Sequence, residues 1–104
     1  MVSREIVEGQ QIQGVDEEIT YSITTTPWGS SPSSVAVKVY DITNSYADVT
    51  TTVMGASPTA TVLGNVITLP ELKALTLGHA YRVEVKFDAN SNTFETFFVV
   101  NAER

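Results

Sequence analysis

The sequence contains no cysteine. That excludes a disulfide framework, which small secreted β domains use to supplement a limited core, and it excludes a thiolate nucleophile or metal ligand. Histidine occurs once and tryptophan once, so a His/Cys zinc site lacks its ligands. Bases are scarce: 6 Lys and Arg stand against 12 Asp and Glu, for a net charge of -6. A nucleic-acid binder neutralises phosphates with clustered Lys and Arg. Here Arg4, Lys38, Lys73, Arg82, Lys86 and Arg104 are scattered, which argues against nucleic acid and anionic membrane as partners. No apolar run approaches the roughly 18 residues of a spanning helix. The opening Met1-Val2-Ser3-Arg4-Glu5 also lacks the apolar stretch of about 7–15 residues that marks a signal peptide. With Met1 as the natural start, the expectation is synthesis and retention in the cytosol.

What the chain has in abundance is β-branched side chains. Val, Thr and Ile supply 34 of the 104 residues. They are stiff at χ1 and suit a pleated surface, so composition alone points to an all-β chain. A chain of 104 residues fits one domain over 1–104. Residues 1–14, weakly patterned, read as a loosely packed N-terminal arm or a first strand.

Alternating apolar segments recur between Gly, Pro, Asn and Ser clusters, as in sandwiches and barrels. Ile19, Tyr21 and Ile23 share one face of a strand that follows Asp16-Glu17-Glu18. Pro27-Trp28-Gly29-Ser30-Ser31-Pro32 breaks the ladder as a loop. Ser33 to Thr43 reads as a strand with Val35, Val37 and Val39 on one side, and Val49 to Met54 as another. Gly64-Asn65 suits a two-residue hairpin turn with positive φ between Thr59–Leu63 and Val66–Leu69. The Leu spacing of Leu69 to Leu75 suggests one helical turn. Tyr81, Val83, Val85 and Phe87 alternate with Arg82, Glu84 and Lys86; Asp88 to Thr93 reads as a polar loop before a final strand, Phe94 to Asn101. The count is about seven strands.

The stretch Leu75-Thr76-Leu77-Gly78-His79-Ala80-Tyr81 resembles the tyrosine corner of immunoglobulin-like and fibronectin type III-like domains. There Leu, Gly and Tyr recur at three-residue spacing before an alternating strand. Leu75, Gly78 and Tyr81 match: Gly turns the chain sharply, and the Tyr hydroxyl bonds corner backbone while its ring stays buried. The resemblance implies an immunoglobulin-like antiparallel β-sandwich; the missing cysteine pair excludes an antibody-type domain. From about Glu17 onward, the Ile-Thr-Tyr-Ser-Ile strand at 19–23, Pro27-Trp28 and the closing Thr93-Phe94-Glu95-Thr96 strand resemble small immunoglobulin-like proteins of phages and prophages. That resemblance implies a virion-associated protein near head or tail assembly, cytoplasmic at synthesis and then part of the particle.

No residue constellation carries chemistry. His79 as a general base needs a carboxylate orienter and a nucleophile; its place between Gly78 and Ala80 reads instead as an exposed loop. Asp88-Ala89-Asn90-Ser91-Asn92 opens like a calcium loop, but the Gly and Glu that an EF-hand requires are replaced by Thr93 and Val99. Turn-favouring residues explain the same letters. Asp16-Glu17-Glu18 reads as a solvated cluster. A glycosidase's carboxylate pair, about 5–9 Å apart, arises by chance among 12 acids and needs a cleft that so small a chain has little room for. A small hydrolase is thus the last-ranked function, and no cofactor or metal is expected.

The final strand departs from its pattern. Phe94, Phe98 and Val100 form one face, which leaves Phe97 and Val99 on a face that alternation would make polar. Two bulky apolar residues there imply a cover: the N-terminal segment or a second subunit, with neither preferred. Trp28 reads either as a cap on the core or as an exposed anchor for a sugar or protein, and Tyr46 raises the same question. The expected function is a non-catalytic structural or assembly component of a phage or prophage virion. It would work through protein–protein contacts or self-association, with Trp28, Phe97 and Val99 as candidate contacts. The alternative is a carbohydrate- or surface-binding module using loop aromatics.

Overall fold

The computed structural model describes residues 11–26, 30–55 and 58–103. Among these are eight strands: β1 (Gln11–Gly14), β2 (Ser22–Thr24), β3 (Ser33–Asp41), β4 (Ala47–Asp48), β5 (Thr61–Leu63), β6 (Val66–Thr68), β7 (Ala80–Ala89) and β8 (Asn92–Glu103). They form a five-stranded sheet in the order β1-β8-β7-β3-β4 and a three-stranded sheet in the order β2-β6-β5. Core side chains from both sheets meet between them: Ile23 and Ile67 from the smaller, Val37, Val39, Val83, Val85, Phe98 and Val100 from the larger. Lettering β2, β3, β5, β6, β7 and β8 as B to G gives a B-E-D sheet against a C-F-G sheet. This all-β sandwich is consistent with the immunoglobulin-like partition.

The eight described strands, the two-residue β4 among them, agree with the expected count of about seven. One pairing departs from the antiparallel expectation: β1 runs parallel to β8, with Gln11 opposite Val100 and Gly14 opposite Glu103. The chain then turns at once, Glu17 N–H donating to Gly14 O and Gly14 N–H to Glu17 Oε1, and passes to β2 in the other sheet. No hairpin joins β1 to β8, so nothing forces them antiparallel.

β7 and β8 are the spine. They pair from Ala80–Asn101 to Ala89–Asn92, and the alternation places Tyr81, Val83, Val85 and Phe87 inside with Thr96, Phe98, Val100 and Ala102. Thr96 is tolerated there because its hydroxyl donates to Val85 O. The polar loop expected over Asp88–Thr93 contracts to a two-residue turn. Asn90 and Ser91 take φ of 52° and 64°, as a type I′ turn requires, while Asp88 and Thr93 pair in the ladder. At the other hairpin Gly64 takes φ 60° between Leu63 and Val66, which pair.

Two elements differ in kind from the sequence reading. Val49 to Met54 is not a strand but contains one helical turn, α1 (Thr50–Val53). Asp48 Oδ1 accepts both the N–H and the hydroxyl of Thr50, a local bond that competes with the ladder. The Thr50 hydroxyl in turn accepts from Val39 N–H, standing in for the missing strand, and Val53 and Met54 are buried in the core. Leu69 to Leu75 is not helical either. Leu72 bonds Ile19 in both directions, Ala74 takes φ 58°, and Leu69, Leu72 and Leu75 are all buried. Their three-residue spacing plugs an extended segment into the gap between the sheets.

The corner is formed as its residues suggest. Gly78 takes φ 82°, which an L side chain rarely adopts, and Leu75 and Tyr81 are buried. The Tyr81 hydroxyl accepts from Thr76 N–H at 2.7 Å.

Candidate functional site

Alternation along β7 and β8 that fills the core also dictates the opposite surface. Outward on β8 stand Glu95, Phe97, Val99 and Asn101; across from them on β7 lie Lys86, Glu84, Arg82 and Ala80. β3 continues the rows with Ala36 beside Lys86, Lys38 beside Glu84 and Tyr40 beside Arg82. Asp48 of β4 follows Tyr40, and Ile12 of β1 flanks Asn101. One continuous sheet face thus gathers Ile12, Phe97, Val99 and Tyr40 among three bases and three acids.

The charges are organised by contact. The Arg82 guanidinium carbon lies 3.8 Å from the Phe97 ring centroid, and its Nε donates to Glu84 Oε2 at 2.7 Å. A cation over an aromatic face contributes about 0.5–1 kcal/mol at exposed sites, and the carboxylate fixes the guanidinium there. Lys38 Nζ reaches Asp48 Oδ2 at 3.3 Å. Hydrogen bonds from the Thr50 hydroxyl and N–H, with Lys38 adding to them, hold the Asp48 carboxyl below its ordinary pKa, so it stays ionised. Phe97 and Val99 are half-buried, with Arg82 over Phe97. Ile12 is 63% exposed. Residues 1–10, the N-terminal cover the sequence raised, lie outside the described residues.

Trp28, with Pro27 and Gly29, also lies outside the described residues. Its flanks are tied to the β5–β6 turn: Thr25 N–H donates to Asn65 O, and Ser31 N–H to Asn65 Oδ1. At that turn Leu63 is 85% exposed, with Val62 and Val66 beside it. These aliphatics were not singled out in the sequence, although adjacent Val62 and Leu63 cannot both face inward on one strand. Ile12 was missed as well, because the pattern around it is weak. Tyr46 is exposed.

His79 is not a free loop residue. Its Nδ1 lies 2.7 Å from Asp41 Oδ2, and the Asp41 side chain is buried. A general base does need such an orienter, but this pair's other bonds hold the fold together. Asp41 Oδ1 accepts from Asn44 N–H, and Ala102 N–H donates to His79 O. The pair ties the corner to the end of β3. In the calcium-like stretch, Asp88 Oδ1 accepts the Thr93 hydroxyl and Asn92 Nδ2 donates to Asn90 O; both bonds serve the hairpin. Among the described residues no group of three or more His, Cys, Asp or Glu is placed to hold a metal ion, and no helix is long and apolar enough to cross a membrane.

Comparison with known protein families finds no family model that matches the chain, and no curated protein matches it.

Proposed function

We propose that this chain is a non-catalytic assembly component of a phage or prophage virion, acting by protein–protein contact. The observation that carries the contact is the outer face of the five-stranded sheet. Ile12, Val99, Phe97 and Tyr40 share this face with the paired charges of the adjoining strands, and Arg82 is held against Phe97. Protein interfaces combine such features: an aromatic and arginine-bearing centre within a polar rim. The strands hold the face in one shape, so a partner orders little on docking. The virion setting rests on the resemblance of the 17–23, 27–28 and 93–96 segments.

The test is direct. Particles released from the source cells after prophage induction are banded in a density gradient and probed for this chain by mass spectrometry. The chain is expected to co-band with the particles in fixed proportion to their major proteins. Its presence only in the unbanded fraction would overturn the virion setting.

A further inference from the structure

We infer that the partner on the outer face of the five-stranded sheet is a second copy of this chain, related by a two-fold axis. This deepens the assembly reading and rests on it for the choice of face. The argument is the distribution of charge. The chain has 12 acids and 6 bases. Three acids (Asp48, Glu84, Glu95) and three bases (Lys38, Arg82, Lys86) occupy the central rows of the face. Removing them leaves nine acids and three bases, so the whole net charge of -6 lies off these rows. Two copies repel one another over most of their surface at separations within the Debye length, about 8 Å at physiological salt. In these rows the monopole term cancels, and Phe97, Val99, Tyr40 and Ile12 supply apolar area.

A two-fold contact demands more than neutrality: the patch must match itself under rotation. The register meets that demand. Arg82 pairs with Val99 and Tyr40, and Glu84 with Phe97 and Lys38. Consider an axis crossing the strands midway between these two rows. Rotation about it keeps each strand over its counterpart and exchanges the rows. Each copy's Glu84 then meets the other's Arg82, Phe97 meets Val99, and Lys38 meets the Tyr40 ring. In the next rows out, Lys86 meets Ala80 and Glu95 meets Asn101. No like charges face one another among these contacts. A shift of the axis onto the Glu84 row would stack Glu84 on Glu84, so the charge pattern also selects the register.

The experiment uses the full chain and sedimentation equilibrium over a concentration series. Wild type is expected to pass from the 11.3 kDa monomer to a dimer. Glu84→Arg and Arg82→Glu each place like charges across the axis, and each is expected to weaken dimerisation by about a hundredfold, since like-charge juxtaposition costs several kcal/mol. An equimolar mixture of the two variants pairs opposite charges at both crossings and is expected to restore dimers to near the wild-type level. Circular dichroism of each variant verifies the β fold, and recovery in the mixture shows independently that both variants are folded. A wild-type chain monomeric at every concentration would overturn the second copy, while the particle assay would still stand for other virion partners. Dimers unaffected by either variant, or a mixture that stays monomeric, would overturn this face and axis.

Discussion

Tyr81 is where one residue's chemistry can be isolated. Its ring is buried and its hydroxyl accepts from Thr76 N–H, which bridges the corner. Tyr81→Phe keeps the shape and leaves that N–H without its acceptor, a loss of about 1–2 kcal/mol. Urea denaturation should show a lower midpoint with an unchanged slope, because the surface exposed on unfolding is the same. A midpoint equal to wild type would show that the corner does not depend on this bond. Leu75, Gly78 and Tyr81 were legible in the sequence because their contacts are local and their spacing reports them. His79 was not. Its partner Asp41 lies 38 residues away, and nothing in the letters around either residue records that the fold brings them together. Phe97 and Val99 were legible as departures from alternation. That Arg82 covers one of them depends on cross-strand register, which periodicity does not contain.

At the scale of elements, β7 and β8 were readable because long unbroken alternation admits one interpretation. The stretch Val49–Met54 was not, because its β-branched residues favour a strand while one carboxylate, Asp48, ties down Thr50 and starts a turn. Tertiary burial of Val53 and Met54 then completes what propensity alone would not. The β7–β8 turn provides an element-level prediction. Ser91 sits at φ 64°, a conformation that costs a non-glycine residue roughly 1–2 kcal/mol. Ser91→Gly removes that strain, loses about 0.5–1 kcal/mol to the greater freedom of the unfolded chain, and creates the Asn-Gly pair that type I′ turns favour. The net expectation is a gain of about 0.5 kcal/mol, seen as a higher midpoint in chemical denaturation. A lower midpoint would show that the turn is not held in the type I′ conformation.

For the whole molecule, the composition and alternation were enough for an all-β chain, but the order of strands was not in them. Which sheet receives β1, and in which direction, depends on contacts between the two ends of the chain. Gln13 is central to that closure. It is fully buried on β1, and its amide donates to Leu72 O at 2.7 Å and Glu17 O at 3.0 Å. Its carbonyl accepts the Tyr21 hydroxyl at 3.0 Å. One side chain thus joins the five-stranded sheet to the segments that lead into and out of the smaller one. A glutamine in a weakly patterned stretch offers no periodic signal of such a role.

The Gln13–Tyr21 bond makes this closure sensitive to alkali. Burial, and then the negative charge of Glu17, raise the Tyr21 pKa above its ordinary 10.0. A phenol with a raised pKa in the folded state contributes stability that is fully present below pH 10.0 and lost as pH rises through the folded value. The physical event is loss of the hydroxyl proton, which leaves Gln13 Oε1 facing a phenolate instead of a donor. Tyr21→Phe lacks the hydroxyl at every pH, so it should be less stable than wild type by about 1 kcal/mol at neutrality. Lysines and the other tyrosines also titrate in alkali, but they do so in both proteins, and the difference between the two isolates Tyr21. Urea midpoints measured from pH 7 to 11.5 should show that difference shrinking above pH 10, with Tyr21→Phe losing less than wild type. A gap of constant size across the range would mean that the Tyr21 proton does not hold β1 to the rest of the fold.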